Sequence, residues 1–395
     1  MSRLWDKGEP LDEKILRYTA GEDHALDARL VRYDVHASIA HAEMLHGAGL
    51  LTEADLAAIR EGLAELAAEH AAGEWQIALA DEDVHTALET RLTERIGDAG
   101  ERIHLGRSRN DQVLAALRLY LKDEVEALRD STLAAAAALD ALGEREKGTP
   151  LPGYTHLQPA MPSSVLLWAG GFAAELRDDA EGLAATRRRL DKNPLGSAAG
   201  YGVPLLPVSR EATRASLGFA EIHEPVTAVQ LSRGKAEAAV LFEIALLLQD
   251  LGRLAADLIL FYMDELSYVT LPAAMTTGSS LMPQKRNPDV FELVRGRTAT
   301  AQACLLEALA ITAKLPSGYH RDLQLLKAPL FRGLDLARAT LAIMTAALAD
   351  VRFQPDRIHL DPGLRAAEEA FRLVLEEGIP FREAYRRVGE RLNKK

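Results

Sequence analysis

The sequence predicts an all-α protein, and three observations support this fold class. Apolar residues recur at alternating spacings of four and three along one stretch, namely Val240, Ile244, Leu247, Leu251, Leu254 and Leu258. This is the a/d pattern of a packed helix. Gly and Pro cluster between long stretches that contain almost none, and no β-branched run alternates with period two. Long helices joined by short, polar loops are therefore expected.

The chain divides into three predicted parts. Residues 1–105 are expected to form an N-terminal domain of shorter helices with His-rich and acidic turns. Residues 106–352 carry the long helices: one after Asn110 that continues through Ala134–Ala138, and others over 163–190, 240–258 and 289–314. Residues 353–395 form a small, shortened C-terminal helical domain. Helices this long exceed the width of a small domain, which favours a bundle shared between subunits over a monomeric bundle.

Composition excludes several classes of protein. The 395 residues include 46 Lys and Arg and 58 Asp and Glu, a net charge of −12, and 48% are hydrophobic, too many for a disordered chain. An acidic chain without a polybasic block does not suit nucleic acid or anionic membranes, so neither is expected as a partner. The single cysteine, Cys304, permits no intrachain disulfide. With no apolar leader at the N-terminus, a cytoplasmic protein is predicted.

Metal and nucleotide motifs are absent from the sequence. It contains no H-E-x-x-H, no G-x-x-x-x-G-K-[ST], no G-x-S-x-G and no complete G-x-G-x-x-G. His36, His41 and His46 are five residues apart, which places successive imidazoles about 140° apart on a helix rather than on one face. We therefore predict neither a metal nor a cofactor.

Three polar loops, each at the start of a long helix, are candidate sites. In the first, residues 104–112, Ser108 with Asp111 three residues later is typical of a helix N-cap. That role does not explain Arg107, Arg109 and Asn110 beside them. Guanidinium groups at a helix N-terminus favour a carboxylate-binding site.

The second loop, residues 153–162, holds Gly153 and two prolines, which predict an irregular backbone before the next helix. It presents Thr155, His156 and Gln158. A loop histidine is often structural or merely exposed, but it is also the side chain best suited to transfer a proton near neutral pH.

The third loop, residues 277–289, ends in a predicted helix start, with Asn287 as N-cap, Pro288 as the first helical residue and an acid after it. The segment could simply be a flexible loop before a capped helix, but this interpretation does not explain the presence of Ser279 and Lys285. A serine beside a glycine, with a lysine six residues later, is typical of a nucleophile or base with a nearby positive charge.

These motifs resemble one family. Residues 278–289, with the run Met-Pro-Gln-Lys, resemble the signature loop of the fumarase/aspartase superfamily in its argininosuccinate lyase version. Five further segments resemble the same family in the expected order: 81–85, 106–112, 153–158, 319–327 and 380–385. The resemblance implies a fumarase/aspartase-like fold, a homotetramer whose sites draw loops from three subunits, and reversible β-elimination of argininosuccinate to arginine and fumarate.

The resemblance also implies residue roles. Ser279 is the expected base, His156 the acid, Glu292 the partner of that histidine, and Lys285 a stabilising charge. Substrate binding is implied for Asn110, Arg109, Thr155, Asn287, Tyr319, Gln324, Lys327 and Arg233, with Lys285 joining them. The cations Arg107, Arg109, Arg233, Lys285 and Lys327 are expected to form one cluster on assembly.

The sequence departs from the family pattern at two places. Gly234 follows Arg233 where the family often has an acid, and the chain stops at Lys395, where the family usually continues through further helices. The alternatives are another lyase of the superfamily, above all adenylosuccinate lyase, or a non-catalytic crystallin-like structural homologue. Gln284 and the segment 319–327 speak against adenylosuccinate lyase.

Overall fold

The computed structural model describes residues 12–392, within which there are fifteen α-helices and six short strands. The first six helices are α1 (Glu13–Ala20), α2 (Asp23–Leu26), α3 (Val31–Gly47), α4 (Glu53–Ala71), α5 (Val84–Ile96) and α6 (Asp98–Arg102). The next five are α7 (Arg109–Arg145), α8 (Val165–Leu190), α9 (Arg210–Ser216), α10 (Ala228–Leu231) and α11 (Lys235–Tyr262). The last four are α12 (Asp289–Thr312), α13 (Lys327–Asp350), α14 (Ala366–Glu377) and α15 (Phe381–Leu392). The predicted all-α class is confirmed.

The predicted long helices are confirmed with small shifts at their ends. α7 has 37 residues, so at 1.5 Å per residue it is about 55 Å long. α8 begins at Val165 instead of Ser163, and α12 ends at Thr312 instead of Lys314. Along α11 every residue of the predicted apolar seam is fully buried: Val240, Ile244, Leu247, Leu251, Leu254 and Leu258. Spacing alone therefore identified the packed face of this helix.

The described strands form three two-stranded sheets. They pair as β1 (Pro150–Thr155) with β2 (Gln158–Ser164), β3 (Lys192–Asn193) with β4 (Glu221–Ile222), and β5 (Val269–Thr270) with β6 (Arg352–Phe353). Residues 153–162, predicted as an irregular loop, belong instead to the antiparallel β1–β2 hairpin, whose register is irregular between Gly153 and Tyr154. Every strand of a two-stranded sheet is an edge strand, where a proline's missing N–H is tolerated.

Backbone contacts divide the chain into two compact units. Unit 1 comprises Met1–Arg129, Gly182–Ala245 and Thr300–Leu336, and unit 2 comprises Asp130–Glu181, Leu246–Ala299 and Ala337–Lys395. Each of the five long helices contributes residues to both units. This grouping follows packing rather than chain order, so the predicted boundaries at residues 105 and 352 stay a prediction.

The last two helices pack on each other in unit 2. Ala370 of α14 meets Ala384 and Val388 of α15 in a small apolar cluster. Gly378, with φ of 66°, ends α14 in the left-handed conformation that favours glycine.

None of the helices between residues 12 and 392 combines the length and the apolar composition that a membrane span requires. Over the same residues, no group of three or more His, Cys, Asp or Glu side chains is arranged to hold a metal ion.

Candidate active site

A cavity of about 180 Å³ in unit 1, here called the charged cavity, gathers most of the predicted substrate-binding residues. Six of them line it: Arg109, Asn110, Arg233, Tyr319, Gln324 and Lys327. They come from the start of α7, the turn before α11, the segment that leads into α13, and the first residue of α13. The other lining residues are Asp23, Asp83, His85, Val113 and Arg321. Acidic and basic groups thus face one small space.

The start of α7 is fixed by the predicted cap. Gln112 N donates to Ser108 O at 3.1 Å, which makes Ser108 the N-cap, and Ser108 N donates to Asp111 Oδ1 at 3.0 Å. The other Asp111 oxygen accepts from Gly196 N at 3.0 Å and Ala198 N at 2.8 Å. Burial raises the pKa of this carboxyl to about 6 despite these donors. The two oxygens of Asp111 therefore fix the first turn of α7, which carries Arg109 and Asn110.

Arg107 does not line the charged cavity, although the sequence grouped it with Arg109. Its buried guanidinium donates through Nη1 to Ser38 Oγ at 2.7 Å. Burial lowers the pKa of Arg107, with nearby acids acting in the opposite direction. It ties the start of α7 to α3, which is a structural role.

Three cations of the cavity are paired with carboxylates: Arg109, Lys327 and Arg321, whose Nη2 lies 3.6 Å from Glu82 Oε2. Arg109 Nη2 donates to Asp83 Oδ2. Burial acts to raise the pKa of Asp83, but the charges of His85 and Arg109 outweigh it and lower this pKa to about 2. Lys327 Nζ lies 2.6 Å from Asp27 Oδ1 and 3.0 Å from Asp23 Oδ2, all three side chains being buried. Such pairing offsets the cost of burying charge.

Arg233 is oriented without an adjacent acid. Its Nη2 donates to Leu323 O at 3.4 Å, and its guanidinium carbon lies 5.5 Å from the centre of the Tyr319 ring. Gly234 has φ of 80°, and a Cβ there would overlap the Thr312 side chain. The departure from the family pattern therefore has a steric reason, because this turn has no room for a carboxylate-bearing residue.

The third loop lies in unit 2. Two backbone hydrogen bonds between Thr277 and Asn287, of 2.9 and 3.1 Å, join its two ends. Within the loop, Ser279 Oγ accepts from Leu281 N at 3.3 Å and from Met282 N at 3.1 Å. Lys285 is exposed on the same loop. Two N–H groups directed at one hydroxyl oxygen would stabilise negative charge on that oxygen.

α12 begins at Asp289, the first residue of the predicted range 289–314, but the predicted N-cap is wrong by one residue. Glu292 N donates to Pro288 O at 3.3 Å, so Pro288 is the N-cap and Asp289 the first helical residue. Asn287 uses its side chain instead to donate to Gly278 O at 3.4 Å. It thereby contributes to closing the loop rather than capping the helix.

The tip of the β1–β2 hairpin presents His156. His156 and Leu157 have φ of 55° and 58°, the conformation of a two-residue type I′ turn that usually selects Asn and Gly. Thr155, His156 and Leu157 are all exposed. Non-glycine residues in this conformation cost energy and occur most often at functional sites.

Among the described residues of unit 2, no hydrogen bond or ion pair joins the four predicted catalytic side chains to one another. Ser279 makes only the backbone contacts of its own loop, and Glu292 is exposed on the first turn of α12 without a bond to His156. Three predicted binding residues do not line the charged cavity: Thr155 lies on the β1–β2 hairpin, and Lys285 and Asn287 lie on the third loop. Within the described part of one chain, these side chains are therefore not bonded to one another.

Comparison with known proteins identifies the family. The profile of a family described as "Lyase" matches residues 14–303. An argininosuccinate lyase of Sorangium cellulosum is 48% identical over 388 residues, which are 98% of this chain and 90% of that protein. One from Thermotoga neapolitana is 40% identical over 393 residues, 98% of each chain.

The chain belongs to the argininosuccinate lyase family. Solved structures agree on the fold. EDDS lyase in complex with formate superimposes with a TM-score of 0.81 at 24% identity, covering 96% of this chain and 76% of that one. A class II fumarase from Schistosoma mansoni gives a TM-score of 0.80 at 18% identity, covering 95% and 87%. At such identities the likeness shows the fumarase/aspartase-like fold alone.

Family motifs pointed to the cavity but did not identify all of its residues. The resemblance included the segment 81–85 without assigning roles to Asp83 or His85, and it gave no role to Asp23. A signal was present in the sequence, since residues 81–85 place three acids and a histidine at the start of a helix. Their role becomes visible only when the fold brings the start of α5 to Arg109 of α7 and to the cavity that Asp23 of α2 also lines.

Proposed function

We propose that this protein is an argininosuccinate lyase, which reversibly cleaves argininosuccinate to arginine and fumarate. The observation that carries the proposal is the 40–48% identity to relatives of that name over about 98% of the chain. The charged cavity supports it, because argininosuccinate carries three carboxylates together with guanidinium and ammonium groups. A cavity lined by acids and bases suits both signs of charge.

Proton abstraction is assigned to Ser279. In the proposed β-elimination, the Ser279 alkoxide takes a proton from Cβ of the succinyl part, and the electron pair of that C–H bond forms the double bond of fumarate. An unassisted hydroxyl is too weak a base for this step. The N–H groups of Leu281 and Met282, which already donate to Ser279 Oγ, stabilise the alkoxide, and Lys285 supplies positive charge.

Protonation of the leaving group is assigned to His156. As the C–N bond breaks, its electron pair passes to the guanidino nitrogen. His156 provides the proton that neutralises the negative charge developing on that nitrogen. Glu292 would fix the tautomer of this histidine and favour its charged form. In the reverse direction the two proton transfers exchange roles.

Assembly into a homotetramer is the second part of the proposal. The four catalytic side chains do not bond to one another within a chain, so we infer that loops from neighbouring copies complete each site. Large apolar side chains remain exposed on several long helices: Leu167, Phe242, Leu293, Leu306 and Ile343. Exposed apolar rows of this kind mark interfaces. A cytoplasmic location, without nucleic acid or membrane partners, completes the proposal.

The test is release of fumarate, followed by ultraviolet absorbance, with argininosuccinate and adenylosuccinate supplied side by side to the purified full-length protein. We expect turnover of argininosuccinate alone. Turnover of adenylosuccinate alone would replace the proposal with the rival lyase. Absence of turnover with both would favour the non-catalytic, crystallin-like alternative.

A further inference from the structure

Two side chains of the charged cavity, Arg233 and His85, keep buried nitrogen atoms that have no hydrogen-bond partner in the described part of the chain. Arg109 and Lys327 are paired with Asp83, Asp23 and Asp27. In contrast, Nε and Nη1 of Arg233 and Nε2 of His85 are buried and have no hydrogen-bond partner within residues 12–392. Buried polar atoms are rarely left unsatisfied, so a ligand in the cavity is expected to bind them.

His85 is held in one orientation by a buried acid. It lies in the first turn of α5, and its Nδ1 is 3.1 Å from Asp34 Oδ2 of α3. Both Asp34 oxygens also accept from Gln112 Nε2, at 3.1 and 3.2 Å. Because a carboxylate accepts, Nδ1 carries the proton and Nε2 is the ring nitrogen left for the cavity. Asp34 thus fixes the orientation of the imidazole through Nδ1, and Nε2 remains available to a ligand in the charged cavity.

The surroundings of His85 favour its charged form. Burial lowers its pKa, but Asp34, followed by Asp83 and Asp27, outweighs burial and raises it. Four cations line the same space: Arg109, Arg233, Arg321 and Lys327. Arg109 and Lys327 are paired with acids, and Arg321 lies 3.6 Å from Glu82. An imidazolium whose Nδ1 is bound to Asp34 has an Nε2–H group directed away from that acid.

We propose that His85 is a further substrate-binding residue, whose Nε2–H donates to a carboxylate of the ligand in the charged cavity beside Arg233. The inference rests on the proposed function, which provides a ligand with carboxylates on both its succinyl and its amino-acid part. A carboxylate would satisfy the unpartnered donors of both side chains. Charge-assisted hydrogen bonds of this type are among the stronger ones in proteins.

Two amide substitutions separate binding from a purely structural role. In His85→Asn the amide nitrogen replaces Nδ1, so the bond to Asp34 is kept and the cavity donor is lost. In His85→Gln the amide nitrogen replaces Nε2, so the cavity donor is kept and the bond to Asp34 is lost. A residue that only supports Asp34 would tolerate Asn and not Gln.

Binding of fumarate and of L-arginine to the full-length protein, measured by titration calorimetry, tests the inference and shows which carboxylate is bound. His85→Asn should weaken one of the two ligands about 10- to 100-fold and leave the other unchanged. His85→Gln should bind that ligand nearly as the wild type does. The inference would be overturned if His85→Asn bound both ligands with wild-type affinity, or if His85→Gln weakened binding more than His85→Asn does. It would also be overturned if the wild-type protein bound neither ligand.

A crystal structure of the wild-type protein with the bound ligand provides a second test that needs no variant. A carboxylate oxygen is expected about 2.7–2.9 Å from His85 Nε2. A ligand seated with all carboxylates beyond about 3.5 Å from that atom would refute the inference. Failure of the proposed function is distinguishable, since it would appear as ligand binding without fumarate release from argininosuccinate.

Discussion

Lys327 has a buried ammonium group that lies between two carboxylates, and both carboxylates stabilise its charge. Asp27 is fully buried and accepts from Lys327 Nζ at 2.6 Å and from Val84 N at 3.2 Å. Removing one partner of a buried pair leaves charge without compensation, which costs far more than breaking an exposed pair. The cavity therefore depends on its acids as much as on its cations.

Asp27→Asn should lower the free energy of unfolding by about 3 kcal/mol, because Lys327 keeps only Asp23 as an acidic partner. Urea unfolding measures this. The control is Asp335→Asn, which breaks the half-exposed pair with Arg29 at 3.1 Å and should cost about 1 kcal/mol or less. Equal losses in the two variants would contradict the account of the buried pair.

Ser279→Ala should reduce fumarate release by about 10³-fold or more, because no other group replaces the base. The side chain lies on a largely exposed loop, so the thermal midpoint should stay unchanged. The neighbouring, exposed Ser280 provides the control, and Ser280→Ala should retain activity. A fully active Ser279→Ala variant would remove this residue from the mechanism.

At the residue scale, family motifs pointed to residues that the fold brings together. Six predicted binding residues line the charged cavity, and their roles stay a prediction. His85 and Asp34 escaped notice, because they are about fifty residues apart and only the packing of α5 against α3 brings them within 3.1 Å. Sequence spacing contains no signal for such a pair.

At the element scale, predictions were confirmed where interactions between residues close in the sequence determine the structure. Ser108 caps α7 because Asp111 lies three residues later, a relation visible in the sequence. The β1–β2 hairpin was missed because its prolines argue against a strand, and its His-Leu turn lacks the usual Asn-Gly signal. Pairing with a neighbouring segment overrode these local preferences.

α3 gives an element-scale prediction through His41, which is buried and lies 2.9 Å from Leu105 O through Nε2. Burial, followed by the charge of Arg107, lowers its pKa from 6.5 to about 3. Between these values the unfolded chain binds a proton that the folded chain does not. The free energy of unfolding should therefore fall by about 1.4 kcal/mol per pH unit as the pH drops from 6.5 towards 3.

His41→Gln should make that pH dependence shallower by this amount, measured by urea unfolding at several pH values. His36→Gln, at an exposed position of the same helix, is the matched control and should keep the wild-type slope. Identical slopes in the two variants would show that His41 is not the titrating group.

At the scale of the whole molecule, the long helices support the proposed assembly of several chains. They bury one seam and leave other apolar side chains exposed, among them Leu167 and Leu306. The net charge of −12 does not describe the charged cavity, whose lining has two acids, Asp23 and Asp83, and four cations, Arg109, Arg233, Arg321 and Lys327. The sequence predicted shared helices through their length, but no contact between copies can be derived from one chain.

The most direct test of the shared site mixes two inactive chains, His156→Asn and Ser279→Ala, by denaturing and refolding them together. If the two residues of a site come from different copies, random mixing restores about a quarter of the sites, and fumarate release should return to about that fraction of the wild-type rate. Each variant refolded alone should stay inactive. Hybrids confirmed by mass that release no fumarate would contradict the account.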